Sequence, residues 1–320
     1  MIGAGEHGRN HARHYASIPA AELVGVYDAR PERARALAGE FGVRSFESPE
    51  EVWKAAMAVS IVIPATSHAE VALEAFAHGV DVLLEKPITR TVEEADRLIE
   101  SAEAHARILQ VGHVERFNPG VAAAREITRQ PLFFEVHRLG VFSPRSLDVD
   151  VVYDLMIHDL DLVLWFASSP VCEVRAVGLP VLSDKVDIAS ARVEFENGAV
   201  ANLTASRVST EKVRKFRYFQ PNEYVSIDFT RRDVLVVKVG GAGSPPGLGF
   251  RRLETRSVEP LRAELEAFVE AARTRRPPLV GGREGRQALT LAASVMDHIQ
   301  AHAAKVNLRL TQPSGQSGES

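Results

Sequence analysis

The chain has 320 residues, 45% of them hydrophobic and 25% charged, with a formal net charge of -4. These proportions describe a globular protein able to bury its own core, and the length suggests two domains. There is no basic excess for a nucleic-acid face. A lone cysteine, Cys172, excludes an internal disulfide and a cysteine-rich metal site, and no apolar run reaches the roughly 20 residues that span a bilayer. No charged segment followed by an apolar stretch opens the chain, so a cytoplasmic protein is expected, with no membrane partner, no nucleic acid and no metal.

Up to about residue 112, short apolar runs alternate with amphipathic segments. Strands are predicted at 23–27, 59–63, 80–84 and 108–112, and helices at 31–41, 68–78 and 91–105. The last helix carries a capping box, Thr91 with Glu94. This alternation predicts right-handed parallel crossovers and a doubly wound, Rossmann-type parallel sheet. After Phe117-Asn118-Pro119 the pattern changes. A helix at 120–128 precedes strands at 132–139, 171–182, 188–195, 199–206, 215–219, 224–229 and 234–239, with Asn197-Gly198 as a hairpin turn. Residues 153–166 are apolar almost all round and read as a buried helix, with Trp165 in the core. A flexible loop is expected at 240–249, helices at 260–273 and 285–305, and a disordered tail at 311–320.

The expected domains are therefore a dinucleotide-binding Rossmann domain, 1–114, and an α+β domain, 115–310, with a large, open, mostly antiparallel sheet for substrate binding and oligomerisation. Helix 285–305 is expected to pack back on the first domain. A sheet covered on one side leaves its other face in need of cover. Val193, Phe195, Val200, Leu203 and Phe216 are candidates to line that face, so a homodimer or homotetramer is expected.

Gly3-Ala4-Gly5-Glu6-His7-Gly8 has the spacing of a phosphate-binding turn, and Asp28 follows Gly8 by 20 residues at the end of the next strand. Gly3 permits the tight turn, Gly5 the approach of the pyrophosphate, and Gly8 close helix packing. The helix N-terminus offers free N–H groups and a partial positive charge. Asp28 can accept from both ribose hydroxyls and would repel a 2′-phosphate, which favours NAD over NADP. Arg30 and Arg33 pull the other way, and Asp28 can equally cap the helix before Pro31. The strand before Gly3 is reduced to Met1-Ile2, where about five residues are usual. The natural strand is therefore expected to begin upstream, and an extended chain to bind NAD more tightly.

Glu85-Lys86-Pro87 ends a central strand, at the edge where open α/β sheets bind ligands. Asp154, His158 and Asp161 share one stripe of the 153–166 helix. As a lone pair, Asp154 and His158 would read as a helix-start aspartate and a core histidine. With the other motifs they point further. Gly3-x-Gly5-x-x-Gly8-x-x-His11, Thr66-x-His68, Glu85-Lys86-Pro87 and Asp154-x-x-x-His158 together resemble the Gfo/Idh/MocA oxidoreductases over nearly the whole chain.

That resemblance implies an NAD-dependent dehydrogenase acting on a CH–OH group, with Lys86, Asp154 and His158 as the catalytic group and a cis Lys86–Pro87 bond. It implies a cofactor site of Gly3, Gly5, Glu6, His7, Gly8, Asp28, Ala65, Thr66, His68, Glu85, Lys86 and His113. The run Val111 to Pro119, the run Asp154 to Asp161, and Ala205-Ser206-Arg207 with Lys212 and Arg214 resemble the branch that oxidises UDP-N-acetylglucosamine at C3. That branch feeds a 3-keto sugar to an aminotransferase for lipid A or another surface glycan. A UDP-sugar substrate is accordingly expected, with Arg116, Asn118, Arg138, Arg145, Asp154, His158, Arg207, Lys212 and Arg214 as its contacts. His158 suits a general base, Lys86 would steady the developing alkoxide, and arginine forks suit the UDP phosphates. Two other readings remain open: a dehydrogenase of a free, inositol-like polyol or sugar, and a non-catalytic NAD-sensing or scaffold protein.

Overall fold

A computed structural model describes residues 1–142, 149–240, 247–255, 257–308 and 310. Arg145 and the tail 311–320 lie outside the described residues. The chain forms two compact units, Met1–Pro119 with Arg256–Leu289, and Gly120–Thr255 with Thr290–Ser320.

The first unit opens with α1 (Glu6–Tyr15), β1 (Gly25–Val26), α2 (Pro31–Phe41), β2 (Arg44–Ser45), α3 (Pro49–Ala55) and β3 (Ala58–Ile61). It continues with α4 (His68–Ala77), β4 (Asp81–Glu85), α5 (Val92–Ala104) and β5 (Leu109–Gly112). β3, β4 and β5 pair in parallel, as do β1 and β2. Ile2 joins the two groups with parallel bridges to Tyr27 and Ile61. Ile2 N–H donates to Ser60 O at 2.9 Å and Gly3 N–H to Tyr27 O at 2.8 Å, so residues 1–3 occupy the central place of the sheet. Leu83 packs with Tyr15 and Ile18 into one cluster. Alternation along the strand turns Val82 and Leu84 to the opposite side, and both are fully buried. Burial on both faces is why the middle of β4, Val82-Leu83-Leu84, is apolar without alternation. Thr91 caps α5 by accepting from Glu94 N–H, the first half of the expected capping box.

The second unit contains α6 (Pro119–Ile127), β6 (Phe133–Leu139), a π-helical turn (Val152–Met156) and α7 (Ile157–Ala167). Then come β7 (Val171–Leu179), β8 (Ile188–Phe195), β9 (Val200–Ser206), β10 (Val213–Gln220), β11 (Glu223–Asp228), β12 (Asp233–Gly240) and β13 (Gly247–Arg252). They form one eight-stranded sheet in the order β13-β12-β11-β10-β6-β9-β8-β7. Every neighbouring pair is antiparallel except β6 with β9. Asn197-Gly198 makes the β8–β9 turn. Gly198 has φ +84°, and the Asn197 side chain accepts from Ala199 N–H.

α8 (Pro260–Thr274) and α9 (Gly282–Lys305) close the fold. α8 belongs to the first unit, where Leu265, Phe268 and Ala271 join the Tyr15–Leu83 cluster. The expectation placed that helix in the second domain. Its amphipathic pattern reports a buried face but not which sheet buries it. The division between the units falls within α9.

Two further expectations are corrected. The loop at 240–249 gives way to β13 from Gly247, which pairs with β12. Its glycines and full exposure hide the strand pattern, and 241–246 lie outside the described residues. Val193, Phe195, Leu203 and Phe216 do not line an open face but are buried on the covered one, where Phe166 of α7 lies 5.1 Å from the Phe216 ring. Among the five candidates Val200 stands on the opposite face. There it belongs to an in-register row, Phe250, Val237, Tyr224, Phe219, Phe133 and Val200, running across six strands.

Candidate functional site

The glycine turn has the shape a dinucleotide pyrophosphate requires. Gly3 has φ +99°, and a Cβ there would stand 2.1 Å from Val62 O. A Cβ on Gly8 would stand 2.0 Å from Gly3 O, whereas one on Gly5 would meet nothing within 4 Å. Gly3 and Gly8 are thus demanded by the fold itself, and Gly5 opens the backbone to a ligand. Gly5 caps α1 without a side-chain hydrogen bond, which leaves the first-turn N–H groups facing outward for an anion. Asp28 Oδ2 accepts Ala4 N–H at 2.6 Å and its Oδ1 accepts Arg30 N–H at 2.8 Å. One carboxylate therefore ties the turn to the end of β1, at the position that would meet the ribose. These features fit NAD.

Glu85 closes β4 beside this turn. Its Oε1 accepts from His7 Nε2 at 2.9 Å and from His11 Nε2 at 3.1 Å, and its Oε2 accepts Lys86 N–H at 3.2 Å. Burial works against this carboxylate, yet the hydrogen bonds from His11 and His7 outweigh it and hold the group well below the usual range. The hydrogen bond to Glu85 raises His7 above the ordinary imidazole value, whereas burial lowers His11. His11 is therefore a neutral ring with its proton on Nε2, and its Nδ1 is buried without a hydrogen bond. Sequence reasoning placed His7 and Glu85 at the cofactor but missed that they and His11 form one cluster. The signal was present, since His7 and His11 stand one turn apart on the helix that follows the glycine turn.

The Lys86–Pro87 bond is cis. His68, expected at the cofactor, is buried and sits 2.9 Å from both Pro87 O and Ile63 O. Burial lowers its pKa, so the ring is neutral and its single N–H donates to one of these carbonyls. Ala65 and Thr66 lie in a 3-10 turn at the end of β3, with Thr66 exposed, and Glu6 is exposed at the start of α1. His113, buried, begins a second 3-10 turn that carries Arg116, also buried. Asn118 donates to Glu115 at 3.4 Å.

In the second unit, Asp154 stands in the π-helical turn and His158 in the first turn of α7. The expectation was an unbroken α-helix over 153–166. A π turn widens the helix by one residue and recurs at functional sites, and nothing in an apolar pattern announces it. Asp154 and His158 are both half-buried.

The candidate phosphate ligands separate by environment. Arg138 is buried and grips Asp159 with two bonds of 2.8 Å, its guanidinium 5.5 Å from the Phe229 ring centroid. Arg207 is buried too. It donates to Val149 O and lies 3.8 Å from Asp187. Both arginines therefore face protein carboxylates inside the unit rather than standing as open phosphate ligands, because a buried guanidinium must be paired. Lys212 is exposed and Arg214 half-buried on β10.

Residues 1–113 match the family model described as the oxidoreductase family with an NAD-binding Rossmann fold, and residues 137–220 match the GFO/IDH/MocA C-terminal domain. The chain is 41% identical over 305 residues to a UDP-N-acetylglucosamine 3-dehydrogenase of Acidithiobacillus ferrooxidans, covering 94% of this chain and 96% of that one. A solved structure of that enzyme superposes with a TM-score of 0.88 at 39% identity, over 94% of this chain and 96% of that chain. A scyllo-inositol 2-dehydrogenase (NAD(+)) of Bacillus subtilis is 27% identical, over 88% of this chain and 87% of its own. These matches, one for each unit and one along nearly the full length, show that the chain belongs to the GFO/IDH/MocA family of NAD-binding oxidoreductases.

Proposed function

We propose that the protein oxidises a sugar-nucleotide hydroxyl to a ketone with NAD, the substrate being UDP-N-acetylglucosamine and the carbon C3. The observation that carries this reading is the 41% identity, sustained over almost the whole of both chains, with a relative bearing that activity. Inositol dehydrogenases match at lower identity.

When bound, NAD supplies the hydride acceptor, and the protein supplies position and charge. In this reading His158 takes the proton from the hydroxyl as hydride leaves its carbon, Lys86 stabilises the oxygen as it gains charge, and Asp154 orients the imidazole or a neighbouring hydroxyl. Asp28 favours NAD over NADP by occupying the place a 2′-phosphate would need. For the UDP phosphates, Lys212 and Arg214, which are not buried, are retained as candidates, with Asn118 on the sugar. The product, a 3-keto sugar, suits transamination to a 3-amino sugar for lipid A or another surface glycan. A cytoplasmic location fits this role, and among the described residues no helix is long and apolar enough to cross a membrane.

Assembly into a dimer or tetramer would use the open face of the eight-stranded sheet. Its in-register row includes Phe250, 68% exposed, and Phe219, whose ring lies 4.8 Å from Tyr224 and 5.6 Å from Phe133 in tilted contacts. Incubation with NAD and a panel of UDP-sugars and inositols, read by NADH absorbance, tests the substrate. An aminotransferase with its amino donor should be coupled in, because the ketone is disfavoured at equilibrium. Turnover of inositol with none of UDP-N-acetylglucosamine would sink the proposal. The UDP moiety has a separate test, since UDP alone should raise the melting temperature.

A further inference from the structure

Glu85 makes three contacts that belong to different parts of the site. Two are imidazoles from consecutive turns of α1, the helix that begins at the glycine turn, and one is the backbone N–H of Lys86. The carboxylate fits only because Gly112, its neighbour on β5, has no side chain. A Cβ there would lie 2.9 Å from Oε2 and 3.0 Å from Oε1. The two histidines differ in exposure. His11 is fully enclosed, whereas the His7 side chain is 53% exposed and packs edge to face on it, with ring centroids 4.9 Å apart. His7 is the second residue of α1, within the first turn whose N–H groups face the anion site.

We propose that Glu85 and His7 form a charged latch, in which the buried carboxylate holds His7 as an imidazolium beside the glycine turn. There the imidazolium supplements the helix N-terminus in binding the cofactor's pyrophosphate, and dinucleotide affinity falls when the His7 proton is lost. Glu85 is a positioning residue in this scheme, and through the Lys86 N–H it ties the same latch to the catalytic lysine.

The surrounding groups leave this proton to His7. Burial keeps His11 neutral. On α8, Glu264 is fully enclosed, and burial with the charge of Glu85 pushes it well above the carboxylate range, so it is neutral. Burial likewise raises the Tyr15 phenol. His14, next along α1, opposes protonation of His11. The hydrogen bond and charge of Glu85 outweigh burial and the charge of Lys86, which work against a charge on His7. A base raised above its free value keeps its charge to higher pH than an ordinary imidazole and loses it as pH rises through the raised value. Affinity is therefore highest while His7 holds its proton and declines as pH rises through that value.

The latch rests on the NAD reading, and NADH fluorescence titration of the full-length protein from pH 6.5 to 9.5 separates the two. Wild type should weaken by about tenfold across this range, the size expected for losing one charge-assisted contact. His7→Gln should bind about tenfold more weakly at pH 6.5 and show a flat profile. Glu85→Gln should move the decline toward lower pH, as His7 returns to its ordinary value. Circular dichroism on each variant confirms the fold. NMR titration of the wild-type His7 imidazole, without cofactor, should place its midpoint above that of a free histidine. A His7→Gln profile as steep as the wild type, or a His7 midpoint at or below the free value, overturns the latch. Absence of NADH binding at every pH overturns the cofactor reading and the latch together.

Discussion

The two sheets use their apolar residues in opposite ways. β4 is buried at all five positions and β5 at all four, so nothing can reach the faces of the parallel sheet. What remains accessible are the ends of its strands, where the proposed cofactor residues Gly3, Asp28, Glu85, Lys86 and His113 stand. β6 and β8 alternate instead, with Phe134, Val136, Ala191 and Val193 turned into the core and the intervening residues left on an open face. In the first unit, the residues proposed for function are a few with special backbone or enclosed charge. In the second, one face of the sheet stands open among the described residues.

This contrast can be broken at either end. The largest effect is expected at the edge of the parallel sheet. Lys86→Ala should lower NADH production from NAD and UDP-N-acetylglucosamine by about a thousandfold, the scale of losing one group that stabilises a developing oxyanion. NADH affinity should change little. Unchanged turnover would remove Lys86 from its role.

Gly8→Ala comes next. Its Cβ would collide with a backbone carbonyl, so it should destabilise the protein by about 3 kcal/mol in denaturant unfolding and abolish NADH binding. Gly5→Ala sharpens the point, because its Cβ meets only open space. It should leave stability within about 0.5 kcal/mol and still weaken NADH. Equal stability losses in the two variants would contradict the division between fold and ligand.

On the open sheet, Phe219→Lys should shift assembly toward monomer by about 2 kcal/mol, read by light scattering at micromolar concentration, with the melting temperature of the monomer little changed. A wild type that is already monomeric would refute the assembly.

The smallest effect is expected at Glu264. Its carboxyl is raised, so its stabilising contribution is complete only below the unfolded value near 4.3 and is lost as pH rises toward the folded value. Glu264→Gln should therefore gain on the wild type in free energy of unfolding between pH 5 and pH 8, by an amount on the order of 1 kcal/mol, read by denaturant unfolding at each pH. A constant difference across that range would show that the carboxyl does not titrate as its burial implies.

Much of this could be read from the amino acids. The glycine turn, the Thr91 cap and the Asn197-Gly198 turn are local devices, each specified by residues within a few positions, and all three take the expected form, whereas Asp28 ties the glycine turn to the end of β1 rather than capping α2. The strand–helix alternation of the first 112 residues also survives, because period and order are properties of the chain itself. Other features depend on residues distant in sequence. Glu85 and Glu264 are two glutamates of one unit that no sequence pattern tells apart. One is ionised because two imidazoles reach it from α1, and the other is neutral because no polar group pairs with its oxygens. Arg138 and Arg207 look like anion ligands until Asp159 and Asp187 are found against them. Alternation in β8 and β10 shows that these strands have two faces but not which face the helices cover, and only the folded chain puts Phe195 and Phe216 on the covered side. Periodicity and turn chemistry are written along the chain. Burial, charge state and the identity of a covered face arise from what the folded chain brings together.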